Sequence, residues 1–177
     1  QKTMRLAQQL YEGVELKGSG TVGLITYLRT DSTRISEEAD AAARVYIEEQ
    51  YGAEYVAERV AAANDGKKIQ DAHEAIRPTD LSRTPAEMKE SLGRDQFRLY
   101  QLIWKRFAAS RMTPARYETT AVRIGAAGYR FNASASRLVF EGFRSVYTES
   151  EDAKEENNVI TGKIEPGMEL KLSELDS

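Results

Sequence analysis

The sequence predicts an α+β chain: mainly helical over residues 1–114, then a small antiparallel β part over residues 115–177. Three observations carry this. Apolar residues recur at helical spacing through residues 4–12, 36–51 and 95–111. From Tyr117 the composition turns to Thr, Val and Ile. Beyond a glycine-bounded turn, Tyr129, Phe131, Ala133 and Ala135 alternate with polar residues. Helices followed by strands, rather than interleaved with them, fit two domains.

Taken in order, Met4 to Glu12 reads as a helix with Met4, Ala7 and Tyr11 on one stripe, Leu6 and Leu10 beside it, and Gly13 as its stop. Leu16 to Thr21 reads as a glycine-rich flexible turn, because no Lys-Ser or Lys-Thr follows to make it a phosphate loop. Leu24 to Tyr27 is rich in β-formers and predicts a short strand. Ser36 is an N-cap, with Glu37 and Glu38 suited to the helix N-terminus. Ala39, Ala42, Ala43, Tyr46 and Ile47 form the apolar face of that helix, which Tyr51-Gly52 ends.

Residues 53–63 predict a short helix or turn, and 64–68 a loop. Thr84-Pro85-Ala86-Glu87 is a capping box with proline at the first helical position, starting a helix expected to reach Leu92. Gly93 breaks it. The longest helix runs from Asp95 to about Arg111, with Phe97, Tyr100, Ile103, Trp104, Phe107 and Ala108 as its buried stripe. Trp104, in the middle of that stripe, is expected in the core and not on a base-stacking surface.

Tyr117–Ile124 and Tyr129–Ala135 predict a hairpin about residues 125–128. A third strand is expected from Leu138, bent near Gly142 and continuing to Tyr147. Residues 148–158 read as an acidic linker, Val159–Ile164 as a short strand, Pro166-Gly167 as a turn, and Met168, Leu170 and Leu172 as one face of a last strand.

Of the 177 residues, 41% are hydrophobic and 30% charged, enough for a packed core and against global disorder. The absence of cysteine excludes a disulfide scaffold and a cysteine-held zinc site, and fits a reducing cytoplasm. No signal-peptide pattern or long apolar run is present. Gln1 in place of methionine suggests a piece of something longer.

The net charge of −3 is uneven. Arg94 to Tyr147 holds ten bases against three acids, whereas residues 148–177 hold three against nine and residues 1–93 twelve against sixteen. The basic stretch reads equally as a solvated face or as a surface that attracts a polyanion.

The stretch with chemical content is Gly23-Leu24-Ile25-Thr26-Tyr27-Leu28-Arg29-Thr30-Asp31-Ser32. If the strand stays extended, Ile25, Tyr27 and Arg29 share a face. A tyrosine is a weak nucleophile, with an ordinary pKa of about 10. A neighbouring cation makes the phenolate less costly and can clamp a phosphate. Such a pair suits attack on a phosphodiester, although by itself it is more often a half-buried ring beside a solvated cation. His73 is the sole histidine; on a helix it would share a face with Arg77, four residues on, until Pro78 ends the segment.

The run Ile25-Thr26-Tyr27-Leu28-Arg29-Thr30-Asp31-Ser32-Thr33 resembles the active-site tyrosine motif of bacterial type IA DNA topoisomerase I. Ala72-His73-Glu74-Ala75-Ile76-Arg77-Pro78-Thr79 resembles that family's histidine motif. Leu99-Tyr100-Gln101-Leu102-Ile103-Trp104, followed by Met112-Thr113-Pro114-Ala115, resembles the segment leading out of the active-site domain. The three stand in the family's order and span most of the chain.

The resemblance implies transient single-strand DNA cleavage through a 5′-phosphotyrosine bond, strand passage and religation, relaxing negative supercoils without ATP. Tyr27 would be the nucleophile, Arg29 the phosphate clamp, and His73 an aid to DNA binding and cleavage. Asp31 and Arg77 would support DNA binding. The implied partners are single-stranded and negatively supercoiled DNA and the remainder of the same polypeptide, in a full-length protein expected to be monomeric and to act in the cytoplasm at the nucleoid.

The implied cofactor is Mg2+, held by a TOPRIM domain. No Asp-x-Asp-x-Glu pattern occurs in this chain, and no residue is placed by motif as the proton donor, so the chain reads as half an active site, with an incomplete half of the β gate domain. A tyrosine recombinase would place its tyrosine last and use His-x-x-Arg, where His73 and Arg77 give His-x-x-x-Arg. A non-catalytic nucleic-acid-binding domain is the other reading, and would account for the basic stretch without chemistry.

Overall fold

The computed structural model describes residues 1–58, 73–148 and 164–171. The architecture is α+β: helices packed on one core, with two separate two-stranded antiparallel sheets.

Helix α1 (Lys2–Glu12) ends at Gly13, whose backbone at φ 126° is disfavoured for other residues and whose N–H donates to Gln9 O. Its buried residues are Ala7 and Leu10, while Met4 and Tyr11 are exposed. The expected Met4–Ala7–Tyr11 stripe is therefore rotated by about one residue. The reason is the partner: α1 lies on the long helix α4 (Arg94–Ser110), and Gln96 Nε2 donates to Gln9 Oε1 at 3.1 Å.

The glycine-rich stretch is a hairpin and not only a flexible turn. Strand β1 (Val14–Leu16) pairs with β2 (Gly20–Val22), Val14 opposite Val22. Gly18 and Gly20 supply the positive φ angles, 83° and 68°, that the reversal needs. With three residues per arm, the apolar alternation is too short to register in the sequence.

Helix α2 (Glu37–Tyr51) begins where Ser36 Oγ accepts from Ala39 N at 3.3 Å. Ala43 and Ile47 are buried, Ala39 and Tyr46 half-buried, and Ala42 exposed. A 3-10 turn follows at Ala53–Tyr55; the rest of the element expected at 53–63, and the loop at 64–68, lie outside the described residues.

The capping box at Thr84–Glu87 forms, but helix α3 stops after one turn, Pro85–Met88, short of the expected Leu92. Beyond it the chain continues in turns, with Ser91 N donating to Met88 O at 3.2 Å, while Met88 and Leu92 both stay buried. On α4, Tyr100, Trp104, Phe107 and Ala108 are buried. Tyr100 Oη donates to Arg83 O at 2.6 Å and Trp104 Nε1 to Leu81 O at 2.9 Å, so both core aromatics satisfy their polar atoms. Burial pushes the Tyr100 phenol well up.

The second sheet is one long hairpin, β3 (Arg116–Ala126) with β4 (Tyr129–Phe140). Its two-residue turn, Ala127 at φ 49° and Gly128 at φ 83°, has both central residues at positive φ, as the twist of a tight hairpin favours. The expected second and third strands are continuous as β4. Beyond Phe140 the chain enters a 3-10 turn, Gly142–Ser145, and not a bent strand. Gly142, at φ 52°, sits where a Cβ would collide with the carbonyl oxygens of Thr113 and Pro114.

The Pro166-Gly167 turn is present, but 168–171 is not a strand. The acidic linker from 149 on, the strand expected at 159–164 apart from Ile164, and Leu172 lie outside the described residues.

Candidate active site

Residues 24–28 carry the tyrosine, and they form no regular strand. Leu24, Ile25 and Leu28 are buried anchors. Ile25 makes a single antiparallel bridge to Pro78, and the chain bends at Leu28 and Arg29. Alternation therefore cannot be extended from Tyr27 to Arg29. The segment of His73 is extended and not helical, so His73 and Arg77 do not share a helix face; its backbone groups are taken up by the tyrosine segment.

Thr26 N donates to Arg77 O at 2.9 Å and Thr79 N to Leu24 O at 3.0 Å. The Thr26 hydroxyl donates to Ala75 O at 2.8 Å and accepts from Arg77 N at 3.0 Å. Thr79 Oγ1 closes the end of the pair on Gly23 O at 2.8 Å, and Ala75 N donates to Arg34 O at 2.8 Å. Two stretches far apart in sequence are thus laced together, largely through Thr26 and Thr79.

The lacing brings the two predicted rings face to face. The centroids of Tyr27 and His73 are 5.1 Å apart with planes 30° from parallel. A third ring, Tyr11 at the end of α1, meets Tyr27 edge to face at 5.6 Å and 70°. Tyr27 is 38% exposed, and His73 is exposed. The phenol is held from two sides and still open to solvent.

Arg29 and Asp31, two and four residues further along the chain, are exposed. Among the described residues Arg29 makes no ion pair or hydrogen bond, which leaves its guanidinium available to an outside anion.

Arg77 is differently placed. Its Nε donates to Glu74 Oε2 at 2.7 Å and its Nη1 to Pro78 O at 3.0 Å, with the side chain only 15% exposed. It braces the histidine segment from within. Burial alone would raise the Glu74 carboxyl; hydrogen bonds from Arg77 and Ser36 and the charges of Arg77 and Arg34 outweigh it and hold it below the usual range.

Tyr11 and the two threonines are the residues that reasoning from sequence passed over. Tyr11 was hidden because an aromatic at helical spacing reads as core. Thr26 and Thr79 stand inside the quoted motifs, but only as β-former and motif neighbour. Among the described residues no three His, Cys, Asp or Glu side chains come together as a metal site. No described helix is long and apolar enough to cross a membrane.

The sequence model of the DNA topoisomerase family matches residues 1–177. Among solved structures, the chain is similar to full-length topoisomerase I from Thermotoga maritima, with 42% sequence identity and a TM-score of 0.72. The similarity covers 96% of this chain and 26% of that one, so the chain spans about a quarter of its relative's length. An exposed tyrosine ring stacked on a histidine, in the motif order noted above, stands within a match that runs the whole length of the sequence. The chain belongs to the bacterial type IA DNA topoisomerase family.

Proposed function

We propose that this chain carries the nucleophile of a DNA strand-cleaving reaction and that the whole protein relaxes negatively supercoiled DNA. The observation that supports this best is the Tyr27 ring, open to solvent and held between His73 and Tyr11.

In the proposed step, Tyr27 Oη attacks a backbone phosphorus and the bond from phosphorus to the 3′ oxygen breaks. The products are a 5′-phosphotyrosine and a free 3′-hydroxyl. The phenol loses its proton and the leaving 3′ oxygen gains one; the donor of that proton is assigned to another part of the polypeptide. Religation is the reverse, so the energy of the phosphodiester is kept in the covalent link and no ATP is needed.

Arg29 is assigned the scissile phosphate. A planar guanidinium matches phosphate oxygens in pairs, and a charge aimed at the phosphoryl group counts most as negative charge develops. His73 supports the Tyr27 ring and contacts the DNA backbone, and Asp31 assists at the edge of the same surface. Arg77 acts on DNA only indirectly, through the segment it braces. The basic stretch from Arg94 to Tyr147 supplies sequence-independent attraction for single strands.

The magnesium ion expected with this chemistry does not fit the described residues, which contain no cluster of acids able to hold it. It is assigned to the rest of the protein, at work in the cytoplasm on the nucleoid, and no step is derived through it. On this reading the isolated chain is inactive. The test is covalent trapping of labelled single-stranded DNA by the full-length protein and by its Tyr27→Phe variant; loss of the adduct in the variant supports the assignment, and an undiminished adduct removes it.

A further inference from the structure

Tyr27 lies in an irregular segment, and an exposed tyrosine there would ordinarily sample several χ1 wells. Each well puts the phenol oxygen in a different place, and only one can face a given phosphorus. Two rings restrict the choice, but they are mounted differently. His73 comes from the segment laced to 24–26, so it moves with Tyr27. Tyr11 stands on the last turn of α1, which is fixed to the body of the molecule by buried Ala7 and Leu10 and by the Gln9–Gln96 hydrogen bond.

The two frames meet at a close approach. Leu24 N donates to Leu10 O at 2.8 Å, and a Cβ on Gly23 would lie 2.7 Å from Tyr11 O. Glycine at position 23 lets the tyrosine segment reach the end of α1 and bring Tyr27 within edge-to-face distance of Tyr11. Tyr11 is 39% exposed and is not among the residues packed in or against the core. Its hydroxyl has no hydrogen-bond partner among the described residues. What Tyr11 offers Tyr27 is therefore a ring at a fixed position.

We infer that Tyr11 is a positioning residue for the reaction, holding the Tyr27 ring in the orientation from which its oxygen attacks the phosphate. This inference rests on the reading of Tyr27 as the nucleophile. An aromatic edge-to-face contact has an energy equivalent to roughly a 2- to 12-fold effect on a rate, if it is made in the reacting orientation and lost in the others.

The test uses the full-length protein, a labelled single-stranded oligonucleotide and magnesium, and reads the single-turnover rate of adduct formation beside DNA affinity and melting temperature. Tyr11→Ala and Tyr11→Leu should form the adduct roughly 2- to 12-fold more slowly, with affinity within about twofold of the unsubstituted protein. Tyr11→Phe should restore the rate, because it keeps the ring. Should the alanine variant not fold, the leucine variant decides, since it keeps apolar bulk without a ring.

Cleavage at the normal rate by a folded Tyr11→Leu, or a Tyr11→Phe as slow as the leucine variant, would overturn the inference. A slowed rate accompanied by an equal loss of affinity would overturn it too, and would point to DNA contact. The parallel Tyr27→Phe sample separates the two levels. An adduct that persists there removes the nucleophile assignment itself; an adduct lost there while Tyr11→Leu cleaves normally removes only the role of Tyr11.

Discussion

Arg29 is an exposed cation two residues beyond Tyr27, without an ion pair among the described residues. A guanidinium in that state contributes nothing to the fold that its loss would reveal, so its variants should report on chemistry. Arg29→Ala in the full-length protein should slow cleavage by about 10-fold or more while weakening DNA affinity less, because a contact that strengthens as charge develops acts on rate. Arg29→Lys should recover only part of the rate, lacking the paired donors. Equal rates for Lys and Arg would mean that only charge counts at this position. The contrast with Arg77 shows where residue-level reading stops. Both arginines stand in recognisable motifs, but a free and a braced guanidinium look alike in a sequence; that Arg77 turns back onto Glu74, three residues before it, is settled only by the backbone path of the folded segment. Tyr11 fails to stand out for the opposite reason, since a helical stripe predicts burial for it and a one-residue rotation of α1 against α4 turns it out to meet Tyr27.

The laced pair of segments, 23–28 with 74–79, is the element that holds the site, and its brace is the Glu74–Arg77 pair. The Glu74 carboxyl lies below its ordinary value of 4.5 in the folded chain, since the bonds from Arg77 and Ser36 outweigh burial. A folded-state value that is depressed means the ionised form stabilises the fold above the unfolded value, and that this stabilisation is lost as the pH falls through the folded value. Glu74→Gln should therefore be less stable than the unsubstituted chain at neutral pH by about 1–2 kcal/mol, with the difference closing as the solution is acidified below pH 4.5. Thermal melts of both proteins across pH 3–7 measure this; a gap of constant size over that range would show that the carboxylate charge is not what braces the segment. Elements differ in how legible they are. Ser36 and Thr84–Glu87 announce their helices through local capping chemistry. The tyrosine segment reads as a strand, and the histidine segment gives no clear local signal, because the conformation of each is set by the other, through hydrogen bonds between residues about fifty positions apart. The β1–β2 hairpin was missed because its arms are three residues long.

At the scale of the molecule, the long hairpin presents an apolar face. In the paired register Ile124 lies opposite Phe131, Val122 opposite Ala133 and Ala126 opposite Tyr129. Phe131 is 51% and Tyr129 72% exposed. Among the described residues neither outer edge of this two-stranded sheet is paired, which is the arrangement that seeks a partner. The isolated chain should associate as its concentration rises, and Phe131→Ser with Tyr129→Ser should weaken the association. Sedimentation velocity over a dilution series is the measurement; a strictly monomeric chain at every concentration would contradict this account of the hairpin. The broad α+β order was legible because composition changes sharply near residue 116, whereas the continuity of β4 was not, since Arg137 falls where the next apolar residue is due and interrupts the pattern without interrupting the hydrogen bonds. The central claim, that Tyr27 takes the 5′ phosphate of a broken strand, is reached most directly by trapping full-length protein on single-stranded DNA labelled on one or other side of the cleavage site, and resolving the products in a denaturing gel. The expected product is a covalent adduct at Tyr27 carrying only the label on the 5′-phosphate side, with none from Tyr27→Phe and none from the isolated chain; an adduct through the 3′ phosphate, or one formed by the Tyr27→Phe protein, would rule out Tyr27 as the residue that takes the 5′ phosphate.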